Sequence, residues 1–527
     1  TAEATPPPPP WDKNIGVEIH SPDEIQEFLI RLAGTDGFDL SDFNFTSEAS
    51  GEVQKTWQPT AGLCPDISRL NQIGITPTAL PLWEIEFSVA PGARGDGRPH
   101  VRLVGGVRGD QAGSREILLA LAADVCELYA TDKRIRALVE TVHVHILPNM
   151  NPEGQLRRWA NNVGFEQCIP GVFGASSTYS CTYDLNTNFP DRFAGSADRP
   201  GNVVPYTPDS RYNIRSRFCE SPSVQRSYQR PCYYSTIDPR PEKIREDKAN
   251  LVQEQEVRYF MDWTNEVGFV ASANFMGFGD FVTNAPSNCE PWDPADDPNV
   301  IRSCGVRSDY GPADHAVARP LARRYAAVHG NLRTALQVQV DASPGRLADW
   351  GTYLADEPVV ELTIPVGLSG IQNAAGVLPL FAAHREPMLD FLEQSLKAIA
   401  GEATDDVTGL PVPRFTMDVF YYEPLGEPRG TLVREMRQRD FWSDGGEFYR
   451  LMPNGTYLVT FVHVPLPGEV GGRQYYNQTH QVTIPESCEP HKEGCPFRIN
   501  VKFSSRFGDG APPAPPAPPH PLPDQCE

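Results

Sequence analysis

Positive charge is scarce in this sequence of 527 residues: 46 lysines and arginines stand against 68 aspartates and glutamates, a formal net charge of -22. A surface of that sign repels phosphates, which excludes nucleic acid as a natural partner. Long apolar runs are missing as well. A membrane span needs roughly 18 consecutive apolar residues, and the longest candidates, such as Ile117 to Cys126, are broken by charge or are amphipathic. No membrane span is expected. Two hydrolase signatures are absent: there is no Gly-x-Ser-x-Gly elbow and no His-Glu-x-x-His helix. The sequence opens on Thr1 without a basic, then apolar, leader, as expected of a chain whose signal peptide has been removed.

Of the 11 cysteines, eight form local couples: Cys168 with Cys181, Cys219 with Cys232, Cys289 with Cys304, and Cys488 with Cys495. They lie in segments rich in Pro, Ser, Asn and Gly, which read as long loops closed by covalent clips. Cys64 and Cys126 make a fifth expected bridge, which leaves Cys526 for a link between chains. Buried free thiols are the alternative, disfavoured because cysteines in loops are seldom core residues. Disulfides persist in oxidising compartments. Sequons at Asn44, Asn454 and Asn477 fit the same extracellular location and imply N-linked glycans, with O-linked glycans as further expected attachments.

Both ends are proline-rich, with Pro6 to Pro10 at the start and Ala511 to Leu522 near the end. Such segments adopt polyproline II and build no core. Residues 1–13 and 508–527 are therefore read as tails. Residues 14–402 alternate apolar strands with amphipathic helices, the pattern of an α/β domain with a mostly parallel or mixed sheet. Expected elements include strands Leu82 to Ser88, Val101 to Val104, Val142 to Leu147 and Gly268 to Asn274, and helices Ser114 to Tyr129 and Ala249 to Glu266. Residues 403–507 carry short alternating strands, Phe415 to Tyr421, Glu447 to Leu451 and Thr456 to Val462, between Gly, Pro and Asn turns, and are read as a small β-sandwich. The run Ala403 to Val407 is the expected junction. Because that junction is short, the two domains are expected to pack together.

Several stretches taken in order resemble the zinc metallocarboxypeptidases, specifically the secreted carboxypeptidase E/D-like subfamily that carries a transthyretin-like domain behind the catalytic one. The matching pieces are Val104-Gly105-Gly106-Val107 leading into Ser114-Arg115-Glu116-Ile117-Leu118, then His145 through Gly154, Asp184-Leu185-Asn186, Asn188-Phe189-Pro190-Asp191, Ser272-Ala273-Asn274, Gly409-Leu410-Pro411-Val412 and Phe448 through Tyr457. The resemblance implies a mixed-sheet metallocarboxypeptidase-like α/β domain followed by an all-β transthyretin-like sandwich. It also implies a chemistry: zinc held by a His-x-x-Glu pair and a distant His, a glutamate to deprotonate the metal-bound water, and arginines for the substrate carboxylate and the oxyanion.

At each of those positions this sequence departs from the resemblance. Arg108 stands for the first His and Gln111 for the Glu; Met276 falls on the second His, Thr187 on the arginine of Asp-Leu-Asn-Arg-Asn-Phe-Pro, and Pro365 on the general base. A guanidinium has no lone pair for zinc and a thioether is a weak ligand for it. Five such departures between matching flanks imply an inactive member with no zinc and no other cofactor. Arg108 is then free to replace the ion's charge, pairing with Asp110 or Glu116.

Rival constellations are weaker. His143 and His145 share one side of a strand and mimic a two-ligand metal set, but are read as core or surface histidines. Asp293, Asp296 and Asp297 lack the spacing of a calcium loop. Tyr353 stands near the position of the family's mobile tyrosine. The function expected from all this is a non-catalytic extracellular structural glycoprotein that self-assembles, or joins other structural proteins, into a coat, wall or filament. The alternative is a secreted binding protein whose former cleft holds peptides or glycans without cleavage.

Overall fold

The protein is known from a computed structural model that describes residues 19–34, 62–157, 255–285, 314–336, 346–366, 374–421, 439–464 and 475–504, with gaps of one or two residues inside some of these, and short pieces between 162 and 231. The Pro-rich tails, Asn44, the aspartates at 293, 296 and 297, and Cys168, Cys181, Cys232, Cys289, Cys304 and Cys526 lie outside the described residues, as do the side chains of Thr187, Cys219 and Tyr353.

In chain order the first domain contains α1 (Pro22–Ala33), β1 (Ser68–Ile75), β2 (Pro81–Phe87), β3 (His100–Val104), α2 (Ala112–Leu128), α3 (Lys133–Thr141), β4 (His143–Leu147) and α4 (Pro152–Arg157). Two short pairs follow, β5 (Asn162–Val163) with β6 (Thr182–Tyr183), and β7 (Phe218–Cys219) with β8 (Arg230–Pro231). Then come α5 (Gln255–Val267), β9 (Ala271–Phe275), β10 (Phe281–Asn284), α6 (His315–His329), β11 (Arg333–Leu336), α7 (Leu347–Tyr353), β12 (Val360–Ile364) and α8 (Val377–Gln394). The first helix starts where its sequence requires: Ser21 Oγ accepts from Glu24 N, the Glu24 carboxylate accepts from Ser21 N at 2.7 Å, and Pro22 occupies the first turn.

One mixed 8-stranded sheet runs in the order β1-β2-β4-β3-β9-β12-β10-β11. Strands β4, β3, β9 and β12 are parallel, while β2 and β10 join them antiparallel. Successive side chains of a strand point to opposite faces, and here the two faces differ in chemistry. Val101, Leu103, Val144, Ile146, Ala271, Ala273, Leu362 and Ile364 share a core with residues of α1, α2, α6 and α8. The opposite face takes Glu84, Glu86, His100, Arg102, His143, His145, Ser272, Asn274 and Glu361, all buried. Phe260, Trp263 and Thr264 of α5 lie over this polar set, with Arg102 stacked on Phe260 at 4.4 Å.

The second group of strands is β13 (Ala398–Asp405), β14 (Arg414–Tyr421), β15 (Arg439–Trp442), β16 (Glu447–Leu451), β17 (Gly455–His463), β18 (Gln478–Ile484) and β19 (Phe497–Phe503). They form a 3-stranded sheet, β16-β13-β19, and a 4-stranded sheet, β15-β14-β17-β18. The sheets face each other through Phe448 and Phe503 on one side and Phe415 and Phe461 on the other. The junction lies earlier than the sequence suggests. Residues 403–405 are the end of β13, and the chain passes from α8 through Ser395–Lys397 into that strand at Ala398. Gly401 hides the strand: a Cβ there would lie 1.7 Å from Ile499 O, so close pairing with β19 demands a residue that reads as a breaker. The domains touch through Arg450 with Asp314 (3.2 Å), His491 with Glu140 (2.9 Å) and Arg498 with the carbonyl of Gly97 (3.1 Å).

Two of the expected disulfides are formed, Cys64–Cys126 and Cys488–Cys495. Asn454 and Asn477 are both exposed, on the turn before β17 and just before β18. No helix among the described residues is long and apolar enough to cross a membrane.

Between α6 and α8, His384 is buried and its Nδ1 lies 2.9 Å from the Tyr325 hydroxyl. Burial, with the nearby His329 adding to it, holds the His384 imidazole down at about 3. An unfolded histidine titrates near 6.5, so the unfolded chain takes up this proton first, and the stability that neutral His384 contributes is present above about pH 6.5 and lost as pH falls toward 3. Acidification from pH 6.5 to 4.5 is expected to cost up to about 2–3 kcal/mol through this one group. Denaturant melts of the native chain and His384→Gln at both pH values check this. An equally steep acid loss in the variant would refute it.

Candidate functional site

Strands β3, β9 and β12 end together. Val104 is in register with Asn274, and Phe275 with Ile364, so the segments that leave these three strands emerge along one edge of the sheet, where α/β proteins bind ligands. Arg108 and Gln111 follow β3, Met276 follows β9 directly and Pro365 follows β12 directly. The segments carrying Arg108, Gln111, Met276 and Pro365 thus leave the sheet on the same side, while Thr187 closes a 3-10 turn, Leu185–Thr187.

The turn after β3 is tightly built. Gly106 sits at φ 59, and a Cβ on Gly109 would lie 2.1 Å from the backbone of Gly154, so both positions need glycine. Ser114 Oγ donates to the carbonyl of Gln111 and accepts from Gly106 N, fixing the turn to the start of α2. Arg115 donates to the carbonyl of Gly109 at 3.1 Å. Burial draws the Arg115 guanidinium down to about 10, although Glu116 and Asp110 oppose it. Asn151 Nδ2 donates to Val107 O, and Asn149 donates to Gln155.

Arg108 is one-third exposed and its Nε lies 3.6 Å from Asp110 Oδ1, an ion pair too long to be a hydrogen bond. Glu116, the other partner expected from sequence, is turned away: it accepts from the backbone N and the Nδ1 of His20, at 2.9 and 2.8 Å. Gln111 is buried at the N-cap of α2, and among the described residues neither its Oε1 nor its Nε2 has a hydrogen-bond partner, nor has the buried Asn149 Oδ1. Met276 is buried, and its N donates to the carbonyl of Ile364. The zinc of a metallocarboxypeptidase does not fit this donor set. Arg108 offers only N–H donors, already turned to Asp110; Gln111 offers a neutral amide and Met276 a thioether.

A second constellation lies at the other end of the same strands. His100 and His143 open β3 and β4, and Glu84 and Glu86 come from β2. His145 Nδ1 is 2.7 Å from Glu84, His145 Nε2 is 2.9 Å from His100 Nδ1, and His143 bridges Glu86 at 2.7 Å and Asp96 at 3.0 Å. Burial pushes the Glu86 carboxyl up, but the hydrogen bond with His143 and the charges of His145 and Arg94 outweigh it and hold it at about 2. Burial, reinforced by His145 and His143, lowers His100 well below the ordinary histidine range. Both strand histidines flagged in the sequence are fully buried. What sequence reasoning missed is the polar row they belong to. The available signal was two carboxylates at i, i+2 on one strand and two imidazoles at i, i+2 on another, with the same period.

The family model for zinc carboxypeptidases matches residues 53–364. Carboxypeptidase Z of Mus musculus is 25% identical over 467 residues, which is 84% of this chain and 59% of the mouse protein. Carboxypeptidase E of Caenorhabditis elegans is 24% identical over 423 residues, 75% of this chain and 76% of that one. The solved structure of bovine thrombin-activatable fibrinolysis inhibitor in complex with tick carboxypeptidase inhibitor is similar with a TM-score of 0.42 and 14% identity, over 71% of this chain and 96% of that one.

Proposed function

The chain belongs to the zinc carboxypeptidase family, and we propose that it is a member without peptidase chemistry, acting outside the cell as a self-assembling structural glycoprotein. One observation carries the first half: where the family's chemistry needs imidazole, carboxylate and imidazole, Arg108 is paired with Asp110, Gln111 presents a neutral amide and Met276 a buried thioether. Hydrolysis needs a metal-activated water and a base to take its proton, and Pro365 has no group that accepts one.

The extracellular half rests on the two disulfides, which fit an oxidising compartment, and on Asn454 and Asn477, exposed where a glycan can be attached. The second group of strands is the transthyretin-like module of the subfamily in this reading. Assembly is assigned to the Pro-rich ends: a polyproline segment has already lost much of its entropy and docks at low cost on a neighbour. The second reading, a binding protein, is favoured by the amide of Gln111 and the Asn149 oxygen, which have no hydrogen-bond partner among the described residues, since buried polar atoms without partners suit a polar ligand.

The test uses the purified full chain. Release of C-terminal residues from a mixed peptide library is expected to stay at the level of the buffer control, and light scattering is expected to show growth into large assemblies with concentration. Chelator-sensitive release of residues would overturn the pseudoenzyme reading. A chain that stays monomeric while retaining library peptides would replace the structural role with the binding one.

A further inference from the structure

The face of the sheet beneath α5 is unusual in being polar and closed to water. In register across it lie Glu86 opposite His145, His145 beside Arg102, Arg102 beside Ser272, and Ser272 beside Glu361. Half of this row is accounted for. Arg102 is neutralised by Glu361, which also accepts from Asn274, and donates to Ser272 and Thr264. The other half holds three imidazoles and two glutamates, of which Glu84, Glu86, His143 and His145 are fully buried and His100 is 6% exposed. Burying so many ionisable groups is costly unless they are paired or bind a metal.

We propose that Glu86, His100 and His145 bind one divalent transition-metal ion of the zinc class, at the end of the sheet opposite Arg108. One ligand atom from each of the three, a carboxylate oxygen and two ring nitrogens, lies within 4.8 Å of the others. His145 Nε2 is 2.9 Å from His100 Nδ1 and 3.9 Å from Glu86 Oε1. Tetrahedral ligands about 2.0–2.1 Å from zinc stand roughly 3.3 Å apart, so the His145–His100 pair must open slightly and Glu86 must move toward the two rings by up to about an ångström, which a rotation of its carboxylate supplies. The identity of the ligands suits the ion: two imidazoles and one carboxylate are among the donor sets zinc accepts.

The surroundings supply what a metal site needs beyond its ligands. His145 presents Nε2 inward because its Nδ1 donates to Glu84 at 2.7 Å, the carboxylate–histidine pairing that orients a ligand ring. Glu86 is held by Gly92 N at 3.0 Å and by His143, which is itself clamped from the far side by Asp96. Trp263 and Phe269 pack edge-on against His145 and fix its plane. The ligands come from three adjacent strands, β2, β3 and β4, and are buried, so the ion's role here is structural. Asp96, partly exposed on the segment between β2 and β3, marks the side from which an ion enters.

The experiment needs no assay of peptidase activity. Full-length protein is dialysed against metal-free buffer and its zinc is measured by elemental analysis; about one equivalent per chain is expected. Cobalt(II) exchanged into the same protein is expected to give a visible absorption spectrum of imidazole-bound, four-coordinate metal. His100→Gln and Glu86→Gln are expected to lose the metal, and Glu84→Gln, which removes only the orienting carboxylate's charge, is expected to weaken zinc binding about 10–100-fold. Should the Glu86 variant not fold, the native protein's stoichiometry and the His100→Gln variant still decide. Native chain with no zinc and no rise in melting temperature on adding zinc(II) would overturn the proposal. So would zinc that survives His100→Gln but is lost on changing Arg108 or Met276, which would place the metal at the other edge.

Discussion

Glu361→Ala is expected to lower stability by about 3–5 kcal/mol, among the largest effects of any single substitution here. Arg102 is completely buried, stacked on Phe260 and 5.1 Å from the Phe269 ring centroid. Burial lowers the affinity of its guanidinium for a proton, and the charge and hydrogen bond of Glu361 offset only part of that. Removing Glu361 leaves a cation whose remaining partners are the hydroxyls of Ser272 and Thr264, and leaves Asn274 without the carboxylate at 2.7 Å. The penalty comes from breaking the pair and not from the pair's own worth, so Arg102→Met combined with Glu361→Leu is expected to recover most of the loss. Denaturant unfolding of the three proteins, followed by tryptophan fluorescence, measures both numbers. A loss under about 1 kcal/mol for Glu361→Ala would mean that water reaches Arg102 and that this face is not dry.

The same row shows why part of the molecule was legible in the sequence and part was not. Apolar strands with regular flanks were read nearly to the residue: the expected strand Leu82 to Ser88 is β2 (Pro81–Phe87), and Glu447 to Leu451 is β16 unchanged. The family resemblance was legible because the stretches around Arg108, Gln111, Met276 and Pro365 keep a recognisable pattern. The buried polar face was not. In β3 and β4, His-Val-Arg-Leu-Val and His-Val-His-Ile-Leu alternate polar and apolar residues, which reads as a strand with one face in water. Residues that arrive more than a hundred positions later, Phe260, Trp263 and Thr264 of α5 together with Phe269, turn that wet face into a dry one. Sequence periodicity records which side chains share a face, and tertiary packing alone decides what covers it. The early start of β13 eluded the sequence for a different reason, because Gly401 serves close strand pairing and looks like a break.

Replacing Cys64 and Cys126 together by alanine is expected to cost about 4 kcal/mol, against about 2–2.5 kcal/mol for Cys488 with Cys495. The difference follows from loop closure. The first bridge joins residues 62 apart in sequence and the second joins residues 7 apart, so the first removes far more freedom from the unfolded chain. Placement adds to the contrast. Cys64 lies where the chain returns from α1, with its N donating to the carbonyl of Leu32, and Cys126 lies near the end of α2. The bridge therefore pins the segment entering β1 to the helix that covers β3 and β4, across elements otherwise joined by packing around Leu29, Leu70 and Leu119. The second bridge closes a turn next to β19 and leaves the facing phenylalanines of the sandwich in place. Each double variant is unfolded in denaturant under oxidising conditions, and the native chain is unfolded with and without reductant as a control. A local bridge that proves as costly as the long one would sink the entropic account and point to strain or packing at Cys488 and Cys495 instead.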